Sequence, residues 1–443
     1  MVAVSETRHS PAVAGDGDDS AHLRWGGRRM PSVCGLPPLA GTVLSEPGSG
    51  GIGRPAPAPL ALCSEIRSLY VHIPFCERKC GYCDFASVVG LEGQGDYVSA
   101  LRAEVRLMAS VFPHVTLDTI FVGGGTPGLL ELSLLHSVMD EIRAGFTLAA
   151  GAEVTLEANP SSTSEARAEA WRVAGFNRVS LGLQSLEPDV LRFLDRVHDA
   201  ERAVRAVAEV RAGGFVAINC DLIYAVPGLE DTSWARTLDR VLELDPGHLS
   251  CYELTVERGT ALHAAVRSGR VADVDEGAAV RQHRIALSRL EAAGYRQYEV
   301  SNFARTGRQC RHNLAYWRNQ HYLAAGVGAH GHVPAAAAPA LGLEPREGAT
   351  TLRYWHTRSL PAYVRSSIER GLLYSGHEFV EPGEDATERL MLGLRLNEGI
   401  DHPPGPEVDR LAELGLITLD AGLIRTTPGG QEVLNDLAVR LTM

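Results

Sequence analysis

The chain has 443 residues, 45% of them apolar and 22% charged, and a formal net charge of −12. That length buries one large core plus a smaller one, and the negative balance argues against a nucleic-acid binder, which needs a basic face for phosphates. No apolar run approaches the ~18 residues that span a bilayer, and the N-terminus lacks a compact apolar signal core, so a cytoplasmic location is expected.

Residues 1–65 are rich in Gly, Pro, Ala and Ser, show no sustained period, and read as a flexible leader. From Ser68 the text alternates strands with amphipathic segments. The strands are Ser68–Phe75, Thr119–Val122, Val154–Glu157, Arg178–Gln184, Ala217–Tyr224 and His248–Leu254. Between and after them lie helical patterns near 96–112, 132–144, 164–174, 200–212, 233–244 and 276–293. In the first, Leu101, Val105 and Met108 share one face. Six βα units predict an α/β fold, a partial parallel (β/α)6 barrel over 66–300 with right-handed crossovers. Residues 301–377 form a connecting region, with a strand-like YRQYEV just before it, an Asn-, His- and aromatic-rich stretch within it and then an Ala/Pro-rich loop. Residues 378–443 read as a small α+β, winged-helix-like domain: helices over Thr387–Leu394 and Glu407–Leu414, a hairpin, and a last helix Pro428–Leu441. A mixed-charge C-terminal piece without a basic stripe makes a DNA-binding role a remote third reading.

Eight cysteines are too few for a disulfide scaffold in a chain this long, but three fall within eight residues. Cys34, Cys63, Cys220 and Cys251 read as small buried hydrophobes. Cys76, Cys80 and Cys83 have the spacing C-x3-C-x2-C on the loop after the first strand. Three thiolates on one loop ligate three irons of a [4Fe–4S] cubane and leave the fourth open. A structural zinc site needs a fourth ligand, and the nearest candidate, His72, lies inside the strand with Pro74 between. After the second strand comes Gly123-Gly124-Gly125-Thr126-Pro127, where backbone approaches a ligand closely with N–H groups free to donate. Glu157 and Gln184 end strands three and four, and Asp221 lies in strand five. Carboxyl ends of parallel strands are where such folds build sites, and a carboxylate in an apolar strand is costly without a partner.

The cysteine spacing, with Tyr82 before the last thiol, resembles the radical S-adenosylmethionine (SAM) superfamily. That resemblance implies a [4Fe–4S] cluster whose open iron chelates SAM and cleaves it to methionine and a 5′-deoxyadenosyl radical. The segments SLYVHIPFCERKCGYCDF, FVGGGTP, LEANP, RVSLGLQS, DLIYAVPG and SNFARTGRQCRHNLAYW, from Ser68 onward, further resemble the coproporphyrinogen dehydrogenase (HemN) group. The resemblance implies that Tyr70, Tyr82, Gly124, Gly125, Thr126, Glu157, Gln184, Arg196 and Asp221 line the SAM site. For Arg196 the competing reading is a helix cap.

Two branches divide at the cluster loop. The dehydrogenase carries a fourth cysteine two residues after the third, where this chain has Phe85, and a PRYTSYP-like N-terminal motif that this chain lacks. The CDF ending resembles the HemW branch of haem chaperones, as does His312-Asn313-Leu314-Ala315-Tyr316-Trp317, an H-N-x-x-Y-W motif. Two readings of His312 stand side by side: axial ligand to haem iron, or a histidine fixing a loop. Cys310 is a further thiolate candidate, and Ala324 stands where a glycine is common. The resemblance implies haem, an apo-haem acceptor protein, an electron donor and peripheral membrane contact through the acceptor. The alternative activity is oxygen-independent oxidative decarboxylation of coproporphyrinogen III.

Overall fold

A computed structural model describes residues 55–369 and 374–442. The six expected strands form and lie side by side in chain order: β1 Ile66–Ile73, β2 Thr116–Gly124, β3 Thr147–Ala158, β4 Arg178–Gln184, β5 Ala217–Tyr224 and β6 Gly247–Glu253, all parallel. The connecting helices are Gln94–Val111, Leu132–Gly145, Glu165–Val173, Ala200–Ala212 and Asp231–Glu243, with Glu276–Ala292 after β6. Their starts follow from side-chain caps. Ser164, Asp199 and Asp275 accept hydrogen bonds from the backbone N–H groups of Arg167, Arg202 and Ala278, supplying partners that a first turn lacks. Ala200–Ala212 buries Ala203, Ala206, Val207 and Val210, an i, i+3, i+4, i+7 stripe.

The sheet extends past the six strands on both edges. The chain adds β7 Arg296–Glu299 and β8 Asn302–Ala304 beside β6, antiparallel, then crosses to the opposite edge. There β9 His321–Ala325 pairs parallel to β1, followed by antiparallel β10 His330–Pro334, β11 Thr351–Trp355 and β12 Gly376–Val380. The twelve-stranded order is β12-β11-β10-β9-β1-β2-β3-β4-β5-β6-β8-β7. Ala324 lies within β9, fully buried, where its missing glycine freedom has no consequence.

Register explains the division of labour between the two faces. Leu69, Val71, Ile120, Val122, Val154, Leu156, Val179, Leu181, Ile218, Cys220 and Leu249 are buried together, the apolar half of a period-two alternation. The other half brings Ser68, Tyr70 and His72 level with Thr119, Phe121 and Gly123, and Glu157, Ser180, Asn219 and His248 into register across β3 to β6. Parallel sheets are usually apolar on both faces. The inner face here is polar instead.

Three local expectations change. Of the leader, residues 1–54 lie outside the described residues, but Leu60–Glu65 is helical and Ala58 and Cys63 join the core. The Ala/Pro-rich loop holds a 3-10 helix, Ala335–Leu341, whose small side chains pack inward. The last helix is broken into Pro428–Glu432 and Leu434–Thr442 at Val433. Val433, at φ −122, leaves the helical conformation, and in the piece before it Gly430 is pressed so close to Leu416 O that no Cβ fits. Residues around Leu390, Leu394, Val408, Leu411, Ile417, Ile424 and Leu437 make a second hydrophobic cluster. It packs against a three-stranded sheet of β13 Ile400–Asp401, β14 Ile417–Asp420 and β15 Leu423–Thr426, in the order β13-β15-β14.

Candidate functional site

The cysteine loop leaves the carboxyl end of β1 and is held from several sides. Phe75–Cys76 pairs with Val88–Val89, closing the loop on itself, and Cys83 N–H donates to Cys80 O at 3.1 Å. Thr126 Oγ1 lies 3.8 Å from Cys76 Sγ and Arg196 Nη1 3.5 Å from Cys80 Sγ. Burial raises the Cys76 thiol above its ordinary range and pushes Cys83 up to about 11, with the neighbouring thiols adding to both. The three sulfurs therefore feel one another, yet among the described residues no three His, Cys, Asp or Glu side chains stand close enough for a single metal ion. A zinc ion at ~2.3 Å would need sulfurs under about 4 Å apart, whereas a cubane places its ligands wider. The donor set suits a cluster better than zinc, and His72 is taken: Nδ1 meets Tyr70 OH at 3.0 Å and Nε2 meets Ala86 O at 2.8 Å.

Gly124, Gly125 and Thr126 wrap around the entry to Cys76. Gly124 has φ +113, and a Cβ there would meet the His72 ring at 2.5 Å; one on Gly125 would meet Pro74 backbone at 2.7 Å. The expectation of free N–H donors fails. Gly124 N–H donates to Glu157 Oε2, Gly125 N–H to Ile73 O and Thr126 N–H to Phe75 O, because this turn continues the pairing of β1 and β2. The glycines act here by being small.

Arg196 does not cap a helix. It is buried against Tyr82 and Cys80, and its Nη2 donates to Gly182 O at 3.0 Å and Asn159 Oδ1 at 2.5 Å. Burial raises the Tyr82 hydroxyl, against the pull of that guanidinium. Gln184 sits at φ +64 beside a register shift in β4, a strained conformation of the kind found at ligand sites. Asp221 accepts from Ser180 Oγ and Asn219 Nδ2, both at 2.8 Å, and burial still raises it. Tyr70 stacks on Phe121 with centroids 6.4 Å apart.

Glu157 is pushed up to about 8 by burial, with Asp221 adding to the shift and Gly124 N–H opposing it. Folded protein thus keeps a proton that the unfolded chain, with its carboxyl near 4.5, releases. Stability falls as pH rises between those values. Glu157→Gln keeps an oxygen for Gly124 and removes the penalty. Cluster-free variant should melt several degrees above the parent at pH 8, the two converging toward pH 5; a gap that does not grow with pH refutes this.

Residues 70–241 match the Radical SAM superfamily. A Mycobacterium tuberculosis protein named Heme chaperone HemW is 40% identical over 338 residues, spanning 75% of this chain and 82% of that one. The Bacillus subtilis protein of the same name is 33% identical over 337 residues, spanning 76% and 85%. This chain belongs to the HemW family. Among solved structures, the Escherichia coli radical SAM enzyme coproporphyrinogen III oxidase (HemN) aligns with a TM-score of 0.72 over 87% of this chain and 92% of that one. At 23% identity that likeness shows the fold alone.

The H-N-x-x-Y-W stretch of this HemW-family chain forms the helix Arg311–Trp317 under the sheet. His312 is fully buried, stacked on Phe121 at 5.3 Å. Its Nδ1 meets Thr119 Oγ1 at 2.8 Å and its Nε2 meets Tyr316 OH at 3.0 Å. Both ring nitrogens are engaged in this arrangement. Cys310 is likewise buried, its thiol pushed up to about 12 and set 3.4 Å from Glu153 Oε1.

Sequence reasoning missed the residues that clamp the cluster loop. Asn159 links Thr126 Oγ1 to Arg196. Asp195, at φ +55, holds Gly81 N–H and Arg78, and Arg358 pairs with Asp84 from beyond β11. The only signal for Asp195 and Asn159 was position, one beside Arg196 and the other inside LEANP. Nothing local marks Arg358.

Proposed function

We propose that this chain is a haem chaperone that binds haem and hands it to an apo-acceptor protein, with a [4Fe–4S] cluster on Cys76, Cys80 and Cys83 and SAM at the open iron. The observation that carries the chaperone reading is the identity with the Heme chaperone HemW proteins over four fifths of their length. Phe85 supports it: its backbone N–H faces Cys83, but its side chain supplies no fourth thiol. A cluster held by Cys76, Cys80 and Cys83 would supply one-electron reducing chemistry at the SAM site. The chain's own residues hold and orient. Arg196 sets positive charge against Cys80, Thr126 donates toward Cys76, and the glycines leave room beside the loop. Glu157 and Asp221 offer buried carboxyl groups on the polar face, and a sulfonium cation bound beside them would favour their ionised forms. The haem position is left to experiment, since His312 has no free nitrogen.

Anaerobically reconstituted protein loaded with haem should transfer it to an apo-haem acceptor, read as growth of the acceptor's Soret band. In parallel it should leave coproporphyrinogen III unconverted. Robust conversion without transfer would make this chain an enzyme of the dehydrogenase type instead. Phe85→Cys alone should not create activity, because the dehydrogenase's N-terminal substrate motif is also missing.

A further inference from the structure

Two imidazoles on the strands beyond β1 take no part in the site above. His321 opens β9, and His332 lies on the neighbouring antiparallel β10, opposite Tyr322. Their ring centroids are 5.1 Å apart, with planes at 59°. Each Nδ1 faces an acceptor: Gln320 O at 3.4 Å for His332 and Glu65 Oε2 at 3.6 Å for His321. A neutral imidazole with its hydrogen on Nδ1, toward those acceptors, carries its lone pair on Nε2. Both Nε2 atoms are buried and have no hydrogen-bond partner. A buried acceptor left unmade is costly, so two in one place call for an occupant. Burial lowers both rings, His321 to about 4 and His332 to about 3, which keeps the lone pairs available at neutral pH.

We propose that His321 and His332 form a two-histidine site for a divalent transition-metal ion of the zinc class, bound through both Nε2 atoms. Two imidazoles sharing an ion at ~2.0 Å and a near-tetrahedral angle would have centroids about 5 Å apart, the spacing present here. Glu65 and Gln320 O stand where outer-shell acceptors orient metal-bound histidines. The nearest fixed positive charges, Arg353 and Arg389, oppose a further cation. Arg353 pairs with Glu378 and Glu388, and Arg389 with Asp385, so both guanidinium groups are already countered. Among the described residues no third His, Cys, Asp or Glu completes the set, and water fills the remaining positions of an open site. With His332 only 3% exposed, the site suits a small ion and excludes a porphyrin.

The test uses the full chain with its cluster reconstituted, titrated anaerobically with zinc by calorimetry, with iron content checked afterwards. One equivalent should bind with the iron retained, and zinc should raise the melting temperature. His321→Ala and His332→Ala should each weaken that binding at least about tenfold and abolish the thermal shift, and Glu65→Gln should weaken it about tenfold. A cluster-loaded parent that takes up no zinc overturns the proposal. So does binding of equal strength in both histidine variants, which would place the ion elsewhere. His321→Asn serves where the alanine variant does not fold, and it too should lose the thermal shift.

Discussion

Replacing Cys76, Cys80 or Cys83 by serine, one at a time, should abolish cluster retention. Parent protein reconstituted anaerobically should hold about four irons and four sulfides, and each variant less than about one of either. The effect is close to all-or-none because two thiolates from one loop cannot hold a cubane that three already leave one iron short. Serine is nearly isosteric, and the loop has ties that do not use the sulfurs: the pairing of Phe75–Cys76 with Val88–Val89, Gly81 N–H to Asp195, and Arg358 to Asp84. The fold should therefore survive, with circular dichroism unchanged. Cys63→Ser is the control, since its thiol is buried in the core and points at Ala58 O; it should keep the cluster. Adding SAM should perturb the electron paramagnetic resonance spectrum of the reduced parent. Stoichiometric zinc with no cluster after reconstitution would refute the assignment.

His312→Ala should destabilise the chain by about 2–4 kcal/mol. The substitution removes a ring that is 0% exposed and stacked on Phe121, and strips a partner from Thr119 and from Tyr316. Burial pushes that ring down to about 3, so it is neutral throughout the working range and its loss changes no charge. The variant should melt lower while its folded fraction binds haem with an unchanged Soret spectrum. Unaltered melting with a lost or shifted Soret band would reverse the conclusion and make His312 the axial ligand after all.

Much of the fold is written locally. Arg178–Gln184 and Ala217–Tyr224 match their predicted bounds because each is a short alternating run closed by turn residues, and Ala200–Ala212 because an Asp cap opens one clean stripe. The site's core was legible for the same reason. Cys76, Cys80 and Cys83 share one loop, and Gly123–Thr126 follows one strand, so spacing alone brings the candidate residues together. What the sequence could not decide is where distant segments meet. His312 carries the same letters whether it faces haem or Thr119, and only packing of Arg311–Trp317 against β2, 193 residues away in the chain, engages both nitrogens. Arg196 reads equally as a cap until the fold brings it to Cys80, and nothing near Arg358 announces Asp84, 274 residues earlier. Those outcomes depend on long-range contacts, whose energies belong to the assembled structure and leave no local pattern in the chain.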